Sequence, residues 1–353
     1  MASDRDGGQR FSIGCGRHSQ CTSVYCLLST VHRTILSPMN ESTFTHAASD
    51  GIGIFVRRWS GAGAPKALVL VAHGVAEHSG RYARLASALV SRGYEVWAPD
   101  HRGHGRTAVS SGGRGWFAAR DGFRRVVDDL EEVRNRMSAE RPGLPVFLLG
   151  HSMGSTLARS FLVLHGGDLA GCALSGPIAL APLLAAASDV IVAAGRALQG
   201  GRGIAKFAHN LTLGSYAKPF HPVRTPQDWL SRDPSEVDAY IADPDCGFIC
   251  TWDWYRDINE GTKFVEDPRN TARIPKDLPI YIFAGSADPV GAASGGADRL
   301  AGAYRAAGIR DVRLRLYPEG RHESLNEVNR EEVTRDLAEW LDGLAGASGT
   351  AGS

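Results

Sequence analysis

The stretch Pro145-Val-Phe-Leu-Leu-Gly150-His-Ser-Met-Gly154-Ser-Thr-Leu-Ala-Arg159 decides the fold. Its apolar start predicts a short buried strand. After Gly154 a helical pattern takes over, with apolar residues at i, i+4 and i+7: Leu157, Phe161 and Leu164. Ser152 therefore lies on a sharp turn between strand and helix. A glycine on each side removes a Cβ where the two elements nearly collide, so the serine hydroxyl is open to a substrate and to a base.

The pattern G-x-S-x-G between a strand and a helix is typical of the nucleophile elbow of α/β-hydrolases. The pentapeptide alone is weak evidence, because 42 of the 353 residues are glycine. Its position, where a strand gives way to a helix, strengthens it. We therefore interpret Ser152 as a candidate nucleophile whose assignment depends on finding its partners.

Two partners follow in the order that this fold requires, which is serine, acid, histidine. Asp288 comes just after an apolar strand over residues 279–285, and His322 follows a strand over residues 312–317. Parallel strands gather their carboxyl ends at one edge of a sheet, so the three side chains can converge there. The sequence predicts Ser152, Asp288 and His322 as a catalytic triad.

Other polar residues compete poorly for these roles. His73, His101 and His104 precede the serine and are expected to shape loops, while Asp128 and Asp129 lie on a surface helix where solvation is the default. A tetrahedral intermediate also needs two donors for its oxyanion. We predict the backbone N–H of Met153 and that of Val75, in the loop that follows the first buried strand.

The rest of the chain alternates strands and helices in the manner of a parallel sheet. Residues 44–46 and 52–59 predict a leading hairpin, and residues 67–72 a strand buried on both faces. Helical patterns follow at 81–92, 123–137, 299–307 and 333–344. The predicted fold class is α/β, an α/β-hydrolase fold with a mostly parallel central sheet, helices on both faces and a helical cap insertion.

The alternation of strands and helices stops after the strand at residues 171–175. Residues 178–262 contain helical segments and no clear central strand, and we interpret them as a cap inserted in a core formed by residues 39–177 and 263–345. The sequence Asp233-Pro-Ser-Glu236 predicts a helix start. An apolar stripe at helical spacing is expected either to pack on the core or to line an acyl tunnel: Leu180, Leu184, Ile191 and Leu198.

Composition excludes several classes of protein. A net charge of +1 gives no basic surface of the kind that binds nucleic acid, and no stretch approaches the roughly 18 apolar residues of a membrane span.

Six cysteines are too few for a disulfide scaffold in a chain of this length. Cys246 and Cys250 lack a second ligand pair for a metal, so we expect thiols in a reducing cytoplasm. Residues 1–38 are expected to be a disordered extension or a translation-start artefact, with a cleaved export signal as the alternative, and residues 346–353 a tail.

Longer motifs carry a family resemblance over roughly residues 40–343. The stretches His73-Gly-Val-Ala-Glu-His-Ser-Gly-Arg-Tyr82, Asp100-His-Arg-Gly-His-Gly105 and Arg321-His-Glu-Ser-Leu-Asn-Glu327, with the elbow, resemble the monoacylglycerol lipase and lysophospholipase branch of the α/β-hydrolases. That branch is often grouped with the serine aminopeptidase-like family. The resemblance implies that Glu77 and Arg81 help to organise the alcohol side of the pocket, and an ordinary surface ion pair is the alternative. His151 is also expected to bind the substrate. The family usually has glycine where Ala76 stands, which predicts a stiffer oxyanion loop.

The sequence thus predicts a metal-free and cofactor-free serine hydrolase. It is expected to cleave esters of one acyl chain, such as a monoacylglycerol or a lysophospholipid, with possible transient contact between the cap and a membrane surface. An esterase or thioesterase for small synthetic or aromatic esters is the alternative. A peptidase is weaker because no acidic cluster is evident, and an Asp-nucleophile enzyme is disfavoured by the serine. A non-catalytic ligand receptor of the same fold is the alternative from another class.

Overall fold

The computed structural model of the chain describes residues 39–178, 182–291, 293 and 295–349, apart from the side chains of residues 182–186 and 347–349. The predicted extension at residues 1–38 lies outside the described residues, as do the last four residues of the predicted tail.

Eight strands form one sheet in the order β1-β2-β4-β3-β5-β6-β7-β8. The hairpin β1/β2 and the β2/β4 pair are antiparallel, and the other pairs are parallel. The strands are β1 (Asn40–Ala47), β2 (Gly53–Ser60), β3 (Ala67–Ala72), β4 (Tyr94–Pro99), β5 (Val146–His151), β6 (Gly171–Ser175), β7 (Ile280–Gly285) and β8 (Val312–Tyr317). The mostly parallel sheet and the leading hairpin that the sequence predicts are confirmed.

Eleven α-helices connect or flank these strands among the described residues. They are α1 (Ala83–Ser91), α2 (Thr107–Ser110), α3 (Gly122–Glu140), α4 (Met153–His165), α5 (Pro182–Gln199), α6 (Lys206–Leu211), α7 (Pro234–Ala242), α8 (Trp252–Glu266), α9 (Pro268–Thr271), α10 (Gly296–Ala306) and α11 (Arg330–Gly349). The apolar periodicity predicted most of the long ones. It missed the single turns α2 and α9, which are too short to show a period.

Both faces of the sheet are covered by helices. Successive residues of β3 point to opposite faces, so Leu68 and Leu70 join one apolar cluster while Val69 and Val71 join another. The first cluster contains side chains of α3, α4, α8 and α10, and the second contains those of α1 and α11. Burial on two faces explains why this strand is a continuous apolar run.

The described part of the segment between β6 and β7 consists of helices joined by turns and irregular stretches, and its one isolated bridge joins Ile204 to Thr251. Here α7 starts as predicted, because the Asp233 side chain accepts a hydrogen bond from the Ser235 N–H. Two helices extend across the expected domain boundaries. Helix α8 runs across the expected core boundary at residue 262, and α11 continues to Gly349, into the expected tail.

The residues of the predicted apolar stripe in the inserted segment differ in their burial. Leu180 and the Leu184 side chain lie outside the described residues. Ile191 is half-buried and packs against the main core, whereas Leu198 is 84% exposed. None of the described helices is long and apolar enough to cross a membrane.

Candidate active site

Ser152 sits at the apex of the turn between β5 and α4. Its φ of 53° and ψ of −118° place it in a backbone region that non-glycine residues rarely adopt. The Ser152 N–H donates to the Ser175 carbonyl at 2.9 Å, and the Ser152 carbonyl accepts from Ser155 Oγ at 2.6 Å. The strained residue is therefore fixed on both sides.

The two glycines of the elbow are required by close backbone packing. A Cβ on Gly154 would lie 2.0 Å from the Ala72 carbonyl oxygen, and one on Gly150 would lie 2.4 Å from the Gly154 carbonyl oxygen. Backbone atoms cannot move aside as a flexible side chain can. The predicted reason for the glycines, a near collision of strand and helix, is what the structure shows.

His322 and Asp288 form a buried pair next to this turn. Nδ1 of His322 lies 3.0 Å from each Asp288 carboxylate oxygen, and Asp288 Oδ1 also accepts from the Val290 N–H at 2.8 Å. The ring proton is assigned to Nδ1, where the carboxylate accepts it, so Nε2 carries the lone pair. Nε2 is buried and has no hydrogen-bond partner among the described residues.

Two opposing effects act on the pKa of His322. Burial lowers it, because the imidazolium loses solvation, while the charge and hydrogen bond of Asp288 raise it. The carboxylate prevails, and the pKa lies above its ordinary value of about 6.5. A base held in this way is stabilised in the protonated form that it reaches after taking a proton.

Ser152 and His322 line the same cavity. Its other walls come from the loop after β3 and from the inserted segment, and include the apolar side chains of Val75, Leu213 and Phe248. The cavity volume is about 20 Å³, which is room for about one water molecule. An acyl chain therefore needs part of these walls to shift.

Of the predicted oxyanion donors, one directly follows the serine in the chain and the other lines the same cavity. Met153 is the first residue of α4, so its N–H has no acceptor within the helix. Val75 lines the cavity in the loop after β3. In that loop Ala76 takes a φ of 51°, the left-handed conformation that glycine adopts without strain. This explains why glycine is usual in the family at this position.

The residues predicted for the alcohol side form a buried charge cluster. Arg81 Nη1 donates to Glu77 at 2.7 Å and to Glu323 at 2.6 Å, and Nη2 donates to Glu323 at 2.7 Å. Burial raises the pKa of Glu77, but the Arg81 charge prevails and lowers it to about 2. One guanidinium thus serves two carboxylates, and the cluster carries a net negative charge.

His151 connects this cluster to the predicted triad. Its ring lies 4.9 Å from the His322 ring, and its Nδ1 lies 3.2 Å from Ser175 Oγ. It lines the cavity at Ser152 and also a second small cavity beside Arg81. Burial lowers the pKa of His151 to about 4, so the ring is neutral.

Several site residues were not identified from the sequence. Glu323 follows His322 directly, yet no spacing rule pairs it with Arg81. From the inserted segment, the Trp229 ring lies 5.0 Å from the His322 ring, and the Tyr240 hydroxyl donates to the Ala76 carbonyl at 2.9 Å. These contacts join residues more than 90 positions apart, which sequence periodicity cannot reveal.

The residues set aside as competitors have other partners. His73 Nδ1 lies 2.8 Å from the Gly74 carbonyl, and its Nε2 accepts from the His101 N–H at 3.0 Å, so His73 shapes the oxyanion loop. The expectation that Asp129 is solvated is wrong. Asp129 is buried against Arg102, with bonds of 2.7 Å from Nε and Nη2, because α3 turns this side chain toward the loop after β4.

Two side-chain groups among the described residues have the composition of a metal site. In one, the ligand atoms of His78, Asp243 and Cys246 lie within 4.8 Å of one another. His78 Nδ1 accepts from the Gly80 N–H, so its proton is on Nε2, which donates to Asp243 at 2.9 Å. The nitrogen that would hold a metal is already occupied. The other group, Asp128, Glu131 and His165, is engaged in ion pairs.

Comparison with known proteins gives the same picture. Residues 63–329 match the family described as serine aminopeptidase, S33. The chain is 34% identical over 316 residues to human monoglyceride lipase, covering 86% of this chain and 91% of that protein. It is 31% identical over 312 residues to a monoacylglycerol lipase of Mycolicibacterium smegmatis, covering 87% and 98%.

Comparison with a solved structure supports the same fold. A thermostable carboxyl esterase from Bacillus coagulans, in complex with glycerol, superposes with a TM-score of 0.79 at 27% identity, covering 87% of this chain and 100% of that one. The chain therefore belongs to the serine aminopeptidase S33 family of α/β-hydrolases, in the branch of the monoglyceride lipases, and is a carboxylic ester hydrolase.

Proposed function

We propose that the chain hydrolyses monoacylglycerols through an acyl-enzyme formed on Ser152. The observation that carries the proposal is the buried pair of His322 and Asp288. Nε2 of His322, which bonds to none of the residues that the structure describes, shares a cavity with a serine held at a φ of 53°. A strained serine on the wall of a cavity, beside an oriented base, is the arrangement that activates a hydroxyl.

In the first half-reaction Ser152 Oγ attacks the ester carbonyl while His322 Nε2 takes its proton. The N–H groups of Val75 and Met153 bind the oxyanion. When the carbon–oxygen bond to the alcohol breaks, His322 returns the proton to the leaving oxygen. Water then attacks the acyl-enzyme, His322 accepts a proton from it, and the proton passes to Ser152 as the fatty acid leaves.

The alcohol side favours a neutral leaving group. We assign Glu77, Arg81 and His151 to contacts with the glycerol hydroxyls. Arg81 is already shared between two carboxylates, so it offers no free charge to a phosphate. An anionic head group would be desolvated beside a net negative cluster, which costs several kcal/mol without a paired cation. This argument favours monoacylglycerol over lysophospholipids with anionic head groups.

The inserted segment is assigned the role of cap. It supplies Leu213, Trp229, Leu230 and Phe248 to the cavity wall. Its described surface also carries exposed apolar side chains, among them Leu198, Phe207 and Leu211, which supports transient contact with a membrane or lipid surface. The free thiols Cys172, Cys246 and Cys250 support a reducing, cytoplasmic location.

A second candidate function is an esterase for small esters. The cavity of about 20 Å³ favours it, because a short acyl group requires less movement of the walls than a long one. Comparing p-nitrophenyl esters from acetate to palmitate separates the two candidates. A maximum at acetate, with no hydrolysis of monooleoylglycerol, would support the small-ester enzyme.

The central test uses Ser152→Ala, with Ser160→Ala as the matched control. Ser160 is a buried serine on α4 whose Oγ has no hydrogen-bond partner within the described part of the chain. We expect Ser152→Ala to lower kcat for monooleoylglycerol by about 10³-fold or more without changing the melting temperature, because triad members act as a unit. It should also lose labelling by a fluorophosphonate, while Ser160→Ala keeps both properties. Retention of more than a tenth of the activity in Ser152→Ala would refute the nucleophile.

A further inference from the structure

The inserted segment is bonded directly to the loop that carries His322. The His322 N–H donates to the Trp229 carbonyl at 3.2 Å, and the Glu323 N–H donates to the Leu230 carbonyl at 2.8 Å. Ser231 Oγ donates to the Asn326 carbonyl at 2.8 Å. We call residues 228–232 together with residues 321–327 the clip. The bonds of the clip join two parts of the chain that lie about 90 residues apart.

Glu327 is the centre of the clip. Its carboxylate is buried and accepts four hydrogen bonds of 2.9–3.0 Å. Oε1 receives the backbone N–H groups of Arg232 and Arg321. Oε2 receives Nε of Arg232 and the N–H of Val328. The same carboxylate therefore binds both sides of the clip, and every group that points at it is a donor.

The Arg321 side chain also bonds across the clip, from the half that contains Glu327 to the half that contains Trp229. Its Nη1 donates to the Ser231 carbonyl at 3.1 Å and to the Asp228 carbonyl. Between these attachments lies Trp229, which is only 4% exposed and whose ring packs against that of His322 at 5.0 Å. The attachments on both sides of Trp229 thus set where its ring meets the imidazole.

The orientation of the imidazole depends on this packing. Asp288 holds His322 through Nδ1, while Nε2 has no hydrogen-bond partner among the described residues. A bond at one nitrogen leaves the ring free to tilt about it. The rings of Trp229 and His151 each contact the His322 ring, and these contacts limit that tilt. Displacement of a reacting group by about 1 Å can cost about 10²-fold in rate.

We propose that Glu327 is a positioning residue for catalysis, which acts through Trp229 to keep Nε2 of His322 aimed at Ser152. The inference rests on the proposed function, because it takes His322 as the general base. It assigns to the clip a role in the reaction, beyond attachment of the inserted segment to the core.

The test compares Glu327→Gln with Glu319→Gln. Glu319 is 85% exposed and binds Nη1 of the same Arg232 at 3.2 Å, so the control removes a carboxylate from the same partner outside the clip. A glutamine at 327 must turn its NH₂ toward donors and breaks the clip. With p-nitrophenyl butyrate, well below both melting temperatures, we expect Glu327→Gln to lower kcat about 10- to 100-fold. KM should change less than about twofold, and Glu319→Gln should retain wild-type kcat.

A double-mutant cycle identifies the route of the effect. If Glu327 acts through Trp229, the variant Glu327→Gln/Trp229→Leu should have nearly the kcat of Trp229→Leu alone. Glu319→Gln should simply add to Trp229→Leu. Wild-type kcat in folded Glu327→Gln, or full additivity with Trp229→Leu, would overturn the proposal.

Two further variants keep the outcomes distinct. If Glu327→Gln does not fold, Arg232→Gln replaces it, because it removes the side-chain bond from Nε of Arg232 and leaves the three backbone donors on Glu327; an unchanged kcat there overturns the proposal as well. His322→Ala tests the underlying function. An inactive His322→Ala with a fully active Glu327→Gln would refute the inference alone, whereas an active His322→Ala would refute the general base.

Discussion

The interior of the sheet and the segment inserted between β6 and β7 differ in how they treat apolar side chains. Every residue of β3, β4, β5, β6 and β7 is buried. In the inserted segment, by contrast, Leu198, Phe207 and Leu211 are more than half exposed although they are large and apolar. Most of the exposed large hydrophobic side chains of the described residues lie in this one segment.

The difference follows from how each region satisfies its backbone. A strand must pair with neighbours, and a central parallel strand is covered on both faces, so its side chains leave solvent together. A helix satisfies its own backbone and can leave one face without a partner. The inserted segment buries side chains such as Ala208 and Trp252 in the first apolar cluster and is bonded to the rest of the chain at Tyr240, Gly247 and the clip, but its helices leave other apolar side chains exposed.

The largest effect of a substitution is predicted at the elbow, which lies at the end of the buried strand β5. Gly154→Ala places a Cβ 2.0 Å from the Ala72 carbonyl oxygen, where only backbone movement can relieve the clash. We expect a loss of about 3 kcal/mol or more in the free energy of unfolding and at least about 10²-fold in kcat. Urea unfolding and ester hydrolysis measure the two effects.

The matched control for this change is Gly302→Ala on α10. No heavy atom lies within 4 Å of a Cβ there, and alanine favours the helix by up to about 1 kcal/mol. If Gly154→Ala were as stable and as active as Gly302→Ala, the backbone at the elbow would be able to move enough to accommodate the added Cβ. That result would contradict the predicted difference between the elbow and the inserted segment.

An intermediate effect is expected at α8, which ends the inserted segment and packs on the core. Asp257 is fully buried; burial raises its pKa to about 7, although Arg256 opposes the shift. The folded protein therefore holds a proton that the unfolded chain releases near pH 4. Stability contributed by this group is present at low pH and is lost as the pH rises through about 7.

We expect wild type to lose roughly 2 kcal/mol more than Asp257→Asn in the free energy of unfolding between pH 5 and pH 8. Urea unfolding at both pH values measures this. Glu260→Gln, at a residue 58% exposed beside the same Arg256, is the control and should keep most of the wild-type slope, because the Glu260 charge raises the pKa of Asp257 less than burial does. An identical pH dependence in Asp257→Asn would mean that the Asp257 carboxylate is hydrated.

The smallest effect on stability is predicted on the exposed face of the inserted segment. Leu198→Gln should leave the melting temperature within about 1 °C, since surface changes are usually within about 0.5 kcal/mol. We expect hydrolysis of monooleoylglycerol in vesicles to fall about two- to fivefold, with hydrolysis of dissolved p-nitrophenyl butyrate unchanged.

Val109 is the matched control for this change, because its side chain is 91% exposed and lies on α2, outside the inserted segment. Val109→Gln should alter neither substrate. An equal loss on vesicles for both variants would contradict a role for this face in lipid contact, and a large drop in melting temperature for Leu198→Gln would show that the residue is packed.

The sequence by itself determined the strands, their parallel character and the order of serine, acid and histidine. Each of these is a local pattern: continuous apolar runs, glycines beside Ser152, and a polar residue at the end of a strand. It also indicated where the inserted segment begins, because the alternation of strands and helices stops there.

The tertiary structure alone decided which distant residues meet. Glu323 joins Arg81, Asp129 turns inward to Arg102, and Glu327 binds both sides of the clip. Each of these side chains would be solvated in an isolated helix or loop, so no local pattern distinguishes it from a surface residue. Its role arises only where folding removes water and places a partner within hydrogen-bonding distance, because burial makes an unpaired charge costly.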